Sequence, residues 1–196
     1  MQKEYFNKVA EYGQLIVVSG PSGVGKKTVI KEYLKDHPNA IRCTSITTRP
    51  QRPDEVEGVD YYFVSKEDFE TMISEDAFLE YDAHMDNYYG TPEAQLEEKL
   101  CTCSVILDVE PVGAFHVREK RPDATLIFIA PPSMEELERR LRTRGDTSEA
   151  QMKLRLERAI WEMEQAKKYD YTVINDQVET CSNKILQIIA DKCGEE

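Results

Sequence analysis

The sequence predicts an α/β fold in which a parallel five-stranded sheet is flanked by helices on both faces. Three observations predict it. Leu15-Ile16-Val17-Val18, an apolar run of buried-strand length, leads into Gly20-Pro21-Ser22-Gly23-Val24-Gly25-Lys26-Lys27-Thr28, and that stretch opens the helical pattern Val29-Ile30-Lys31-Glu32-Tyr33-Leu34. Four more runs of strand composition, at 41–45, 105–108, 125–129 and 171–174, alternate with helical patterns, as parallel strands joined by crossover helices do. Between the second and third runs lie short strands of their own, so a small mixed β/α insertion over about 46–91 interrupts a core of about 14–45 and 92–196.

A strand, a glycine-rich turn and a helix in this order form the phosphate-binding loop of the P-loop NTPases. Glycines let the backbone curl until successive N–H groups point at one anion. The helix N-terminus adds a partial positive charge and Lys26 a full one. Residues 20–28 are therefore expected to bind the phosphates of a nucleoside triphosphate. One position departs from the strict pattern: where Ser or Thr would offer a hydroxyl to Mg²⁺ stands Lys27, with Thr28 one place later. Either Thr28 or water takes over the metal contact, or metal binding is weakened.

The 196 residues suit one domain with a substantial core. A net charge of −12 argues against nucleic acid or an anionic membrane as the partner, and requires local basic clusters to draw in an anionic nucleotide. No apolar run reaches membrane-spanning length, and Met1-Gln2-Lys3-Glu4-Tyr5 lacks a signal-peptide core, which points to the cytoplasm. Cys43, Cys101, Cys103, Cys181 and Cys193 are odd in number and lack the clustered histidines of a zinc site, so reduced thiols are expected. His37, His84 and His116 show no ligand spacing.

Taken in order, residues 1–13 carry Tyr5, Phe6, Val9 and Tyr12 at a loose helical spacing, a lead-in helix or arm. His37-Pro38-Asn39 ends the first helix. In 47–55, Arg49 and Arg52 sit three apart in a loop stiffened by Pro50 and Pro53, which lowers the entropy lost in presenting two guanidiniums to one anion. Residues 58–64 are β-rich. Ser65-Lys66-Glu67-Asp68 resembles a capping box for a helix that buries Phe69, Met72 and Ile73. A short strand follows at 78–81, and Thr91 with Pro92 reads as the cap and first position of the next helix. The strand at 105–108 ends in Asp108, with Glu110 just beyond. Ser133-Met134-Glu135-Glu136 caps a helix that carries Arg139, Arg140, Arg142 and Arg144, and a second helix from Ser148 carries Arg155 and Arg158. Met152, Leu156, Ala159 and Met163 mark its core face. A C-terminal helix presents Ile185, Ile188 and Ile189.

Together, GPSGVGKKT, SITTRPQRPDEVEGVDYYFVS, FLEYDAHMDNYYGTP, ILDVE, IFIAPPS and RTRGDTSE make nearly the whole chain resemble the guanylate kinases, P-loop enzymes that move a phosphate from ATP to GMP. The resemblance implies that about 46–91 is a GMP-binding region and about 139–158 a helical lid. Arg49, Arg52, Tyr61 and Tyr89 match the positions that hold the GMP phosphate; Ser45, Glu80, Thr91 and Glu110 match those around guanine. Lys26, Arg49, Arg144 and Arg155 match the charges that act on the transferred phosphoryl group. In many relatives Glu110 is Asp, Pro111-Val112 replaces the usual residue-then-glutamine, and Lys27 stands where relatives carry Ser or Gly. Mg²⁺ would accompany ATP, reached by Thr28 or through water by Asp108, whose alternative role is a hydrogen bond at the sheet edge. The expected assembly is a monomer or a homodimer.

The chemistry agrees with the resemblance. Guanine presents donors at N1 and its exocyclic amine, which suit a carboxylate such as Glu80, and an O6 acceptor, which suits Ser45. Adenine lacks those donors, and such a polar mismatch can reject an analogue by roughly 10⁴-fold. A phosphate with a second pKa near 6 needs no general base, so catalysis reduces to alignment and charge stabilisation. Two competing readings share these residues: a non-catalytic guanylate-kinase-like interaction domain, and a kinase for another nucleoside monophosphate.

Overall fold

Runs with no polar alternation belong in strands buried on both faces, and β1 (Leu15–Ser19) is such a run, buried at all five positions. The computed structural model describes residues 13–84, 86–143 and 149–194. After β1 come α1 (Lys26–Asp36), β2 (Ala40–Arg42), β3 (Ile46–Thr47), β4 (Tyr62–Phe63), α2 (Lys66–Ser74), β5 (Phe78–His84) and β6 (Asn87–Pro92). There follow α3 (Glu93–Leu100), β7 (Ser104–Asp108), α4 (Pro111–Lys120), β8 (Thr125–Ala130), α5 (Met134–Thr143), α6 (Glu149–Gln165), β9 (Tyr171–Ile174) and α7 (Val178–Gly194).

The main sheet has the order β2-β7-β1-β8-β9 with every pairing parallel. Successive side chains point to opposite faces. Ile16, Val18, Ile106, Ile127 and Ile129 pack with Val29 and Ile30 of α1, Leu137 and Leu141 of α5, and Ile185 and Ile189 of α7. Val17, Val105, Leu107, Leu126 and Phe128 pack with Leu96 and Leu100 of α3 and with Ala114 and Val117 of α4. The expected five-stranded parallel architecture is thus present, and Met152 and Ala159 of α6 are buried in the first of these clusters.

Residues 46–92 build a second sheet, β4-β3-β6-β5, whose core is the aromatic stack of Phe69 on Phe78 and Tyr88, at centroid distances of 4.4 and 5.1 Å. Ser65 caps α2 as expected: its Oγ accepts the Asp68 N–H at 3.0 Å. Two expectations are corrected. The strand at 41–45 stops at Arg42, because the chain then leaves the main sheet and Ser45 offers its carbonyl to the Tyr62 N–H of the second one. Thr91 does not cap a helix; it lies within β6, opposite Glu80, and its hydroxyl is bonded to that carboxylate. Pro92 is the N-cap of α3 instead. Of the β-rich 58–64, only Tyr62–Phe63 form a strand, since 56–60 fold into a turn closed by the Asp60 N–H on the Val56 carbonyl. The proposed lead-in at 1–12 lies outside the described residues, as does Ser148.

A candidate active site between the phosphate loop and the inserted sheet

The strand order reverses around β1, so a crevice opens beyond the C-terminal ends of the strands, where α/β sheets bind ligands. The loop from Gly20 to Lys26 sits there. Gly20 has φ +145, and a Cβ on it would lie 2.2 Å from the Ile129 carbonyl oxygen; Gly25, with φ +98, is the left-handed N-cap of α1. Only glycine meets both demands. Lys26 Nζ donates to the Gly20 carbonyl at 2.6 Å, folded back across the curve of the loop. From behind, the Asn175 amide donates to the Val24 carbonyl at 2.7 Å, and Arg140 reaches both Val24 and Asn175 carbonyls at 3.3 and 3.1 Å.

A cleft of about 270 Å³ runs from this loop to the inserted sheet. Its walls bring together Pro21, Ser22, Gly23, Gly25, Lys26, Lys27 and Thr28 with Ser45, Arg49, Arg52, Tyr61, Glu80, Tyr89, Asp108, Glu110 and Arg155. Gly20, Val24 and Thr91 are buried behind the wall, where they support residues that line it. Arg144 lies outside the described residues. Arg139 and Arg142 of the basic cluster are spent on Glu136, Glu138 and Glu149, while Arg140 reaches the loop.

Midway along the cleft, Glu55 holds the Arg49 guanidinium by two bonds of 2.7 and 2.9 Å and also accepts the Arg52 N–H at 3.0 Å. Burial opposes both charges, but the pairing outweighs it: Arg49 is raised above its ordinary pKa and Glu55 lowered below its own. The Tyr61 ring lies edge-on to Tyr89 at 6.1 Å. Burial, reinforced by Asp108, pushes the Tyr61 phenol up, so it remains a donor at neutral pH.

On the inserted sheet Glu80 is 6% exposed and accepts the Thr91 hydroxyl at 2.6 Å. Burial pushes its pKa up to about 7, against the Thr91 bond and with help from Asp82. A Cβ on Gly113 of α4 would stand 2.4 Å from Glu80 Oε2, so this glycine keeps the space into which the carboxylate projects.

The loop end is acidic as well as basic. Glu110 Oε1 is 3.7 Å from Lys26 Nζ. Burial would lower the Lys26 pKa, but Glu110, Asp108 and Glu162 together raise it and keep the ammonium charged. Burial raises Asp108 despite Lys26 and Arg42. Glu162, buried on α6, is raised by burial and by the neighbouring Glu110 carboxylate, and Arg158 donates to it at 3.2 Å. Among the described residues no cluster of three His, Cys, Asp or Glu could hold a metal ion, while Thr28 and Asp108 both line the cleft. Also among the described residues, no helix is long and apolar enough to cross a membrane.

A phosphate loop and a buried carboxylate thus line one cleft. The family model described as guanylate kinase matches residues 12–192. The chain belongs to the guanylate kinase family. It is 43% identical to the guanylate kinase of Desulfitobacterium hafniense, across 93% of this chain and 92% of that one. It is 46% identical to that of Streptococcus agalactiae, across 92% and 88%. The crystal structure of guanylate kinase from Anaplasma phagocytophilum superposes with a TM-score of 0.78 at 34% identity, covering 93% of this chain and 87% of that one. Membership makes the protein an enzyme, a nucleotide-binding kinase.

Sequence reasoning missed Glu55, Asn175 and Gly113 as parts of the guanylate kinase site. Glu55 was readable as the carboxylate beside two arginines, and Asn175 as a polar residue at the crevice end of the last strand; nothing local marks Gly113.

Proposed function

We propose that the protein transfers the γ-phosphoryl group of ATP to GMP, giving ADP and GDP for guanine nucleotide metabolism. The observation that carries this is that one cleft is lined both by the phosphate loop and, from the inserted region, by Arg49, Arg52, Tyr61, Tyr89 and the buried carboxylate of Glu80. Residues 46–91 serve as the GMP-binding region and 139–158 as the lid.

In this reading the loop N–H groups of 20–28 and Lys26 cradle the ATP phosphates, and Arg144 and Arg155 close over them. The Lys26 ammonium has three donors, so it can keep the Gly20 carbonyl and still donate to phosphate oxygens. Arg49, Arg52 and the hydroxyls of Tyr61 and Tyr89 hold the GMP phosphate, already ionised at neutral pH and needing no base. Glu80 accepts from guanine N1 and the exocyclic amine, Ser45 donates to O6, Thr91 holds the carboxylate in place, and Glu110 completes the guanine side. Mg²⁺, held by Thr28 and through water by Asp108, would neutralise charge developing on the transferred group. Chemistry is then alignment of two anions in a site from which the lid excludes water.

The test is ADP release from ATP and GMP by the wild type and Lys26→Ala. Turnover that Lys26→Ala lowers by roughly 10²-fold or more supports the reading. A folded wild type that binds GMP without turnover would assign the chain to the non-catalytic interaction domains.

A further inference from the structure

Lys27 occupies the loop position whose hydroxyl would reach a nucleotide-bound metal, yet its side chain turns toward the inserted sheet. Its Nζ lies 4.6 Å from the centroid of the Tyr61 ring and 3.5 Å from Asp60 Oδ1. Both partners belong to the turn that carries the acceptor region, while Lys27 is the second residue of α1. One side chain therefore joins the loop for the donor phosphates to the wall for the acceptor phosphate.

The turn it lies on is independently fixed. Asp60 Oδ2 accepts the Val56 N–H at 3.1 Å, the Arg42 guanidinium donates to the Val59 carbonyl and, at 3.0 Å, to that of Asp60, and Thr44 Oγ1 donates to the Gly58 carbonyl at 3.3 Å. The Lys27 side chain is 45% exposed, and an ion pair of that kind adds little to folding stability. Its effect is local. The electron-rich Tyr61 ring has Lys27 at 4.6 Å and the Arg49 guanidinium at 5.6 Å, so two cations stand against the ring whose phenol would meet an anion.

We propose that Lys27 is a positioning residue for the acceptor phosphate: held by Asp60 and lying over Tyr61, it orients that phenol and adds a third positive charge beside Arg49 and Arg52. The inference rests on the guanylate kinase reading of the cleft. It separates the two substrates. At position 27 the loop offers ATP a backbone N–H, which substitution by Met, Arg or Ser keeps. The ammonium is offered to the acceptor, and only to its phosphate.

The experiment compares the wild type with Lys27→Met, Lys27→Arg and Lys27→Ser, measuring the KM of GMP and of ATP·Mg²⁺, inhibition by guanosine, which carries the base without the phosphate, and Mg²⁺ dependence. Lys27→Met should raise the KM of GMP about tenfold, leave the KM of ATP and the Ki of guanosine within about twofold, and be rescued to within about threefold by Lys27→Arg. Lys27→Ser should raise the KM of GMP similarly and leave Mg²⁺ dependence within about threefold. An unchanged KM for GMP, an equal loss of guanosine and GMP, or a large gain in Mg²⁺ affinity in Lys27→Ser would each overturn the inference while the wild type still phosphorylates GMP. A wild type that takes no GMP overturns the underlying reading, and this inference with it.

Discussion

Glu80 lets stability and affinity be set against each other in one substitution. Its carboxyl is 6% exposed, and burial moves its pKa from 4.5 to about 7 in the folded protein. The folded state therefore holds this proton more tightly than the unfolded chain does. Between those two values stability must fall as pH rises, and above about pH 7 the full penalty is present. At about 1.4 kcal/mol per unit, the rise amounts to about 3 kcal/mol. Glu80→Gln keeps the shape and an oxygen for the Thr91 hydroxyl but cannot ionise. Without nucleotide it should equal the wild type near pH 4.5 and exceed it by up to about 3 kcal/mol near pH 8.5, read by urea unfolding at both. Guanine reverses the sign: its two donors need the ionised carboxylate. Wild-type affinity for GMP should weaken about tenfold per unit below pH 7, beyond the titration of the GMP phosphate itself, which Glu80→Gln retains as the reference. If Glu80→Gln is destabilised equally at both pH values, Glu80 carries no such penalty and the assignment of guanine recognition to a strained carboxylate fails.

Two further substitutions test the supports of the site. Gly113→Ala brings a methyl to 2.4 Å from Glu80 Oε2, the far end of a flexible side chain, so the carboxylate yields rather than the helix. Unfolding should change by less than about 1 kcal/mol while the KM of GMP rises toward 10²-fold, and a variant that unfolds instead would show the contact to be rigid. Asn175→Ala removes the 2.7 Å bond to the buried Val24 carbonyl but leaves Arg140 on it. A loss of about 1–2 kcal/mol with a raised KM for ATP and an unchanged KM for GMP is expected; an effect on GMP alone would contradict the role given to the loop's backing.

Legibility followed sequence distance. The loop at 20–28 was readable because strand, glycines, lysine and helix are contiguous, and the main sheet because each buried strand announces itself as an unbroken apolar run. Thr91 was misread because Thr-Pro is a common helix start; what decides its role is Glu80, directly across the sheet and invisible to local pattern. The arginines at 139–142 form a basic cluster in the sequence, yet Arg139 and Arg142 pair with glutamates mostly on their own helix. Arg140 alone of these three meets the loop, through a contact spanning 116 residues. Glu80, Arg49 and Tyr61 could be grouped from sequence only through the family resemblance, because the cleft that unites them is lined by elements far apart in the chain.

The most direct measurement is the rate of ADP release from ATP·Mg²⁺ with GMP, AMP, UMP, CMP and dTMP offered separately. A cleft ending in Glu80 and Ser45 predicts turnover with GMP that exceeds the rate with AMP by roughly 10⁴-fold in kcat/KM. Comparable rates with AMP or a pyrimidine nucleotide would leave the fold intact and contradict the claim that Glu80 selects the base.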